Sequence, residues 1–365
     1  MLMDRARGGA DDKNKRFVLV VGGGQSGLAA GYYLKQAGIP YLILEKNARV
    51  GDTWRNRYTS LTLFTPRSLS MLPGLMPAGN RDSYPTREEF ADYLERYASV
   101  HGLSVRTSAM LKRLTLNDVG QFEADLGTGE RLHSVSVIVS TGGFQTVSVP
   151  QSCSIDPNIQ QLTATTYRDP SQIVPGRTLV VGDGASGRDI AAELSANHKV
   201  LLATGKPRKL IPEFFLGKNV WWWFSTLGVL SAPAESWLGK RMRTADPFPD
   251  RDRSLPSLQA RGVEIMPRLV SITGRKAGFE GGQAIDIDSV IWAVGYRDDI
   301  TWLQVPRTTS ARGEFLHDQG ISPIPGIYYV GRPWQRNRAS ALISGAGPDA
   351  KEIVQAIARR HEQLG

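Results

Sequence analysis

At 365 residues the chain has room for two domains and a sizeable core, and its 41% hydrophobic and 22% charged residues are those of a globular protein in water. The net charge of +9 is scattered with no long Lys/Arg block, which argues against a nucleic-acid-binding stripe. The single cysteine, Cys153, excludes an intramolecular disulfide, a C-x-x-C redox pair and a cysteine-rich metal site. Cys153 lies beside prolines in a predicted loop and reads as incidental.

No segment reaches transmembrane length. Met1 to Lys15 has mixed charges and no apolar core, so it reads as a disordered tail, and the chain as cytoplasmic. From Phe17 to Val21 a short apolar run predicts a strand buried on both faces. Gly22, Gly24 and Gly27 follow in G-x-G-x-x-G spacing. A helix pattern runs from Leu28 until Gly38 and Pro40 stop it, and a second strand, Tyr41 to Leu44, ends on Glu45. Strand, glycine turn, helix, strand and terminal acid in that order predict a dinucleotide site. The first glycine permits the turn, the second admits a pyrophosphate, and the third lets helix pack on strand. Free N–H groups and the helix dipole then favour the phosphates.

Prolines 66, 73, 77 and 85 exclude a long helix after Glu45. Thr86 and Glu89 form a capping-box pattern ahead of a helix whose Phe90, Tyr93, Leu94 and Tyr97 share one face. Val105 to Asp125 reads as two strands of a meander. Val135 to Ser140 reads as another buried strand, ending in Thr141-Gly142-Gly143. A proline-bearing crossing follows, from Gln145 to Asn158.

The opening pattern then repeats. Arg177 to Val181 is a strand, and Gly182-Asp183-Gly184-Ala185-Ser186-Gly187 is a second G-x-G-x-x-G. A helix through Ile190 and Leu194 and a strand at Val200 to Ala203 complete the unit. Where the first unit has Glu45, the second has Thr204-Gly205 and then Lys206, Arg208 and Lys209. Basic residues there suit a 2′-phosphate, hence NADPH; otherwise they are ordinary solvated charges. Val220 to Leu238 gathers Trp221, Trp222, Trp223, Phe224 and Trp237 in a run too short to span a bilayer. Core, dimer contact, cavity lid and interfacial anchor are all open to it, with burial or an interface favoured over membrane contact. Ile285 to Val294 and Pro325 to Gly331 are further strands, and Ala350 to Leu364 is a closing helix on which His361 is structural or exposed.

The expected fold class is α/β: two Rossmann-like dinucleotide-binding domains of three-layer ββα type, the second inserted in the first. The expected division is a tail at 1–15, one domain from 16–150 and 325–365, and a second at 151–324 carrying a Trp-rich insertion at 212–260.

Eight motifs in shared order resemble the flavin-dependent (class B type) monooxygenases, in the bacterial CzcO-like branch related to plant YUCCA enzymes. They are Gly22–Gly27, Gly51-Asp52-Thr53-Trp54, Leu63-Phe64-Thr65-Pro66, Tyr84-Pro85-Thr86, Ser140-Thr141-Gly142, Gly182–Gly187, Ala293-Val294-Gly295-Tyr296 and Val330 to Gln335. The resemblance implies FAD in the first domain, NADPH in the second, and oxygen transfer to a small organic substrate from O2 through a C4a-(hydro)peroxyflavin. A reductase or oxidase without oxygen transfer, and a non-catalytic redox-sensing flavoprotein, are the alternatives. The resemblance places Gly22, Gly24, Gln25, Ser26 and Gly27 on the FAD pyrophosphate and Glu45 and Lys46 at the adenosine ribose. It places Thr53, Trp54 and Thr65 near the ribityl chain and ring, Met110 at adenine, and Thr141, Gly142 and Gly331 at the flavin side. Gly182, Gly184, Ser186, Gly187, Lys206 and Arg208 would hold NADP. Phe64, Trp334, Gln335 and Arg338 are candidate cavity residues. No metal site and no acid–base set is expected; the five histidines form no cluster. Monomer and homodimer are both open. The sequence departs from the family pattern in three places: Thr163 stands at a histidine position, Phe64 at an asparagine position, and Arg332 at an acidic one.

Overall fold

The computed structural model of the chain describes residues 17–150, 153–208, 210–245 and 247–364. The tail expected at 1–15 and Lys209 lie outside the described residues. In chain order, the first unit comprises β1 (Val18–Val21), α1 (Gln25–Gln36), β2 (Tyr41–Leu44), α2 (Arg87–Val100), β3 (Val105–Arg106) and β4 (Ser136–Val139). The second comprises β5 (Gln160–Thr163), β6 (Arg177–Val181), α3 (Ala185–Leu194), β7 (Lys199–Ala203), β8 (Glu264–Met266) and β9 (Ser289–Trp292). The chain closes with β10 (Ile327–Tyr329) and α4 (Ile343–Leu364).

Two five-stranded parallel sheets result. The first has the order β10-β4-β1-β2-β3 and the second β5-β9-β6-β7-β8. Their topologies match strand for strand, except that the outer strand beside β4 comes from the chain's end and the one beside β9 from ahead of β6. β1, β4 and β9 are buried along their whole length, as strands covered on both faces must be. One face of the first sheet packs on α1, α2 and α4, in a core holding Leu28, Leu34, Phe90, Tyr97 and Ile357. The other face meets an antiparallel meander, Leu111–Leu116, Phe122–Leu126 and Arg131–Ser134. The meander expected at 105–125 therefore begins later, because Val105 pairs with Ile43 in the parallel sheet. Thr86 and Glu89 close the expected capping box on α2.

The packing alters three expectations. Leu114 N–H donates to Trp302 C=O at 2.7 Å, and Gln304 N–H to Leu114 C=O at 2.9 Å. Trp302, Leu303, Val305 and Phe315 share the meander's core, so the chain returns to the first fold near residue 300, ahead of 325. Cys153 opens a short strand, Cys153–Ile155, that pairs with Leu269–Gly274, so it is in a sheet rather than a loop. The tryptophan run divides. Trp221 is buried with Leu230 and Leu342, whereas Trp222 and Trp237 are exposed. Among the described residues no helix is long and apolar enough to cross a membrane.

Candidate functional site

Both glycine turns sit at the C-terminal ends of central strands, where each strand hands over to a helix. Gly22 adopts φ +108°, and a Cβ there would lie 2.6 Å from the Ser140 carbonyl oxygen. A Cβ on Gly27 would lie 1.9 Å from the Gly22 carbonyl oxygen. Gly24 differs: nothing stands within 4 Å of where its Cβ would be. The second turn repeats this: Gly182 is at φ +101°, Gly187 would clash with the Gly182 carbonyl at 1.8 Å, and Gly184 meets only an Arg208 Nη2 at 3.9 Å. First and third glycines are thus required by the backbone, and the middle ones face open cradles. Gly24 and Gly184 are also the N-caps of α1 and α3. They offer no side chain to the first N–H groups, and neither first turn carries an acid. Such uncapped helix starts attract phosphate oxygens.

Around the first cradle, Glu45 is buried at the tip of β2. Its Oε2 accepts from Gly23 N–H at 2.9 Å, and its Oε1 from Asn47 N–H and Nδ2 at 2.9 and 2.6 Å. The carboxylate fixes the turn, and Oε2, which accepts once where Oε1 accepts twice, retains a lone pair for a ribose hydroxyl. Lys46 is exposed beside it. Asn47 Nδ2 also donates to Thr53 Oγ1 at 3.3 Å, and Trp54 Nε1 donates to Gln25 Oε1 at 3.4 Å while its ring meets Phe90 edge-on. These contacts bring Gly51–Trp54 against the start of α1. Ser26 is buried, and a Cβ on Gly331 would lie 2.1 Å from its Oγ, so only glycine lets the last strand's turn approach so closely. Thr65 is buried with its hydroxyl 2.8 Å from that of Ser70. Met110 is exposed at the head of the meander, its carbonyl accepting from Gly127 N–H at 2.7 Å.

The two crossings between the folds are tied together. Gln145 Nε2 donates to Thr141 Oγ1 at 2.8 Å and to Gly142 C=O at 2.7 Å, and its Oε1 accepts from Asp299 N–H at 2.9 Å. Arg332 grips Asp298 with both terminal nitrogens, at 2.9 and 2.5 Å, and donates to Gly142 C=O at 3.3 Å. Arg332 thus stands at an acidic family position and takes its carboxylate from the returning crossing.

Of the cavity candidates, Phe64 is 40% exposed and its ring lies 5.7 Å from that of Trp221. Trp334 takes φ +58° and stacks under Arg338 at 5.9 Å. Gln335 is buried and turned inward, accepting from Arg332 N–H at 3.3 Å.

In the second fold a cleft of about 390 Å³ opens at the tip of β7, lined by Asp183, Arg188, Thr204, Gly205, Lys206 and Arg208. It lies where the adenosine end of a dinucleotide falls in this topology. Ser186, half-buried, belongs to the same turn. The buried pair of Asp183 and Arg188, 3.0 Å apart, is not legible as a pair in the sequence. Asp189, which accepts from Tyr58 O–H at 3.1 Å and from Arg253 Nε at 2.9 Å, is likewise hidden as a junction. The Gly-Asp-Gly step was the one sequence signal for the former.

Residues 19–209 match the pyridine nucleotide-disulphide oxidoreductase family. Over 342 residues, 93% of this chain and 97% of the relative, the sequence is 40% identical to an uncharacterized CzcO-like oxidoreductase of Geobacillus kaustophilus. The chain belongs to this oxidoreductase family, in its CzcO-like branch. A probable indole-3-pyruvate monooxygenase of the YUCCA group from Arabidopsis thaliana is 28% identical over 365 residues, 86% of this chain and 84% of that one. Among solved structures, a flavin-containing monooxygenase from Stenotrophomonas maltophilia superposes with a TM-score of 0.78 at 25% identity, covering 94% of this chain and 98% of that one. The doubly Rossmann-like architecture of this CzcO-like oxidoreductase is that of these flavoproteins. Its single cysteine leaves this chain no thiol pair for the disulphide chemistry in the family's name.

Proposed function

We propose that the protein is an NADPH-dependent flavin monooxygenase that oxygenates a small organic substrate with O2. The observation that carries this reading is the pair of open cradles at Gly24 and Gly184, each above an uncapped helix start. One has a strand-tip carboxylate and the other strand-tip cations. In this reading Gly22, Gly24, Gln25, Ser26 and Gly27 hold the FAD pyrophosphate. Glu45 and Lys46 meet the ribose; Thr53, Trp54, Thr65, Thr141, Gly142 and Gly331 surround the ribityl chain and ring; Met110 meets adenine. Gly182, Gly184, Ser186, Gly187, Lys206 and Arg208 hold NADPH. The division is one domain from 16–150 and the chain's end, and one from 151 to about 300 with the insertion at 212–260.

FAD held in the first cradle would supply the redox chemistry, two electrons from NADPH and one atom of O2 going to product with the other leaving as water. The protein's own contribution is binding, orientation and exclusion of water. Phe64 packed on buried Trp221 supplies an apolar wall, and the clamp of Arg332 on Asp298 holds both crossings in register. With Trp334 and Arg338, Phe64 would line the substrate cavity; Gln335 would brace it from behind. A cytoplasmic monomer or homodimer completes the reading.

Aerobic turnover with NADPH over a panel of amines, sulfides, ketones and indole acids tests it. Oxygen consumption matched by oxygenated product is the expected result. Oxygen recovered stoichiometrically as hydrogen peroxide with every substrate would leave an oxidase.

A further inference from the structure

We propose that Arg188 sets the dinucleotide preference of the second fold by neutralising Asp183, so that the cleft accepts a 2′-phosphate; this rests on the NADPH assignment above. In the first fold the strand-tip carboxylate of Glu45 reaches back to the turn and accepts from Gly23 N–H. A side chain at Gly23 would project straight at that carboxylate, its Cβ 2.9 Å from Glu45 Cβ and 3.0 Å from Oε2. The second fold inverts the arrangement. Asp183 occupies the step of Gly23, and its Oδ1 accepts from Gly205 N–H at the tip of β7 at 3.1 Å. The strand-tip position itself is Thr204, whose hydroxyl donates to Met266 C=O at 3.0 Å.

A carboxylate therefore still lines the adenosine end of the cleft, beside Lys206 and Arg208, with Arg208 Nε 4.0 Å from Asp183 Oδ1 at the cleft rim. Left charged and alone, it would accept a ribose 2′-hydroxyl and repel a 2′-phosphate. Arg188 removes that conflict. Its Nη2 meets Asp183 Oδ2 at 3.0 Å, its Nε donates to Asp183 C=O at 2.8 Å, and its Nη1 donates to Arg253 C=O at 2.8 Å. Both side chains are nearly inaccessible, at 3% and 5%, where solvent screens the pair little. With Asp183 balanced, the basic residues at the rim give the cleft its net sign. Arg188 acts through Asp183 and is a positioning residue.

Calorimetric titration of the flavin-loaded protein with adenosine 2′,5′-bisphosphate and 5′-AMP, which differ only in the 2′-phosphate, isolates this effect from turnover. The unaltered protein is expected to favour the bisphosphate, and Arg188→Gln to lose at least about tenfold of that preference with 5′-AMP binding little changed. Asp183→Asn/Arg188→Gln should recover the preference, since the repelling charge is gone. Asp183→Asn alone, which leaves Arg188 its bonds to the Asp183-position and Arg253 carbonyls, should keep it even if Arg188→Gln does not fold. Equal loss for both ligands in Arg188→Gln, a preference unaffected by that change, or loss of it in Asp183→Asn would overturn the proposal while leaving the NADPH reading intact. No bisphosphate preference in the unaltered protein would overturn both.

Discussion

Replacing Gly24 by valine is expected to give a protein that folds and, to within about 1 kcal/mol, melts as the flavin-free parent does, yet comes off the column with markedly less flavin. The two required glycines cannot be changed so quietly. A Cβ at Gly27 would lie 1.9 Å from a backbone oxygen, and one at Gly22 would combine positive φ with a 2.6 Å contact. Either change forces β1 and α1 apart and damages the fold itself. Gly24 has φ −78° and ψ −172°, which any residue adopts, and open space where its side chain would go. Its Cβ would meet no protein atom within 4 Å, so the obstacle it raises is expected to fall on the ligand. Each charge-assisted hydrogen bond from a helix-start N–H to phosphate is worth about 1.5–3 kcal/mol. Losing one weakens FAD by roughly one to two powers of ten. Stoichiometric flavin in a well-folded Gly24→Val would mean that the open space is not the pyrophosphate cradle.

The second large effect is on stability and concerns Asp349. This carboxyl is buried in α4, one residue past Pro348, with Arg336 Nη1 at 3.6 Å and an Oδ2 that no hydrogen bond satisfies. Burial, the dominant cause, raises its pKa from the ordinary value to about 6, against smaller opposing effects of Ser340 and Arg336. The native state therefore keeps a proton that the unfolded chain releases near pH 4. Below that value the group contributes no difference. Between the unfolded and native values the unfolded state is increasingly favoured, and stability falls as pH rises. Above about pH 6 the full penalty, at most about 3 kcal/mol, is present. Asp349→Asn should remove this slope and raise stability at neutral pH by about 1–3 kcal/mol. Denaturant melts of both proteins at about pH 4.5 and pH 7.5 check it. An Asn variant less stable than the parent at the higher pH would show that the ion pair with Arg336 outweighs the burial.

What could be read from the sequence follows physical locality. Gly22, Gly27, Gly182 and Gly187 announce themselves because a backbone contact no other residue survives leaves a fixed spacing between a buried strand and a helix. The capping box at Thr86 and Glu89 is equally local. Pairings across long stretches of chain leave no such trace. The grip of Arg332 on Asp298 and the docking of Tyr58 on Asp189 join residues far apart in the chain that meet only in the folded structure. Trp302 to Phe315 followed the second fold in sequence but pack on the first. His361, left open between structural and exposed, is buried with Nε2 3.2 Å from Ser136 Oγ. The tryptophan run divided because burial of Trp221 is decided by Phe64 and Leu342, partners from elsewhere in the chain.

Rapid anaerobic mixing with reduced nicotinamides probes most directly whether two different dinucleotides meet across these twin turns. Yellow protein carrying about one FAD per chain should bleach on meeting NADPH, and faster than on meeting NADH. A preparation that binds no flavin, or one whose flavin stays oxidised with both nucleotides, would contradict the account.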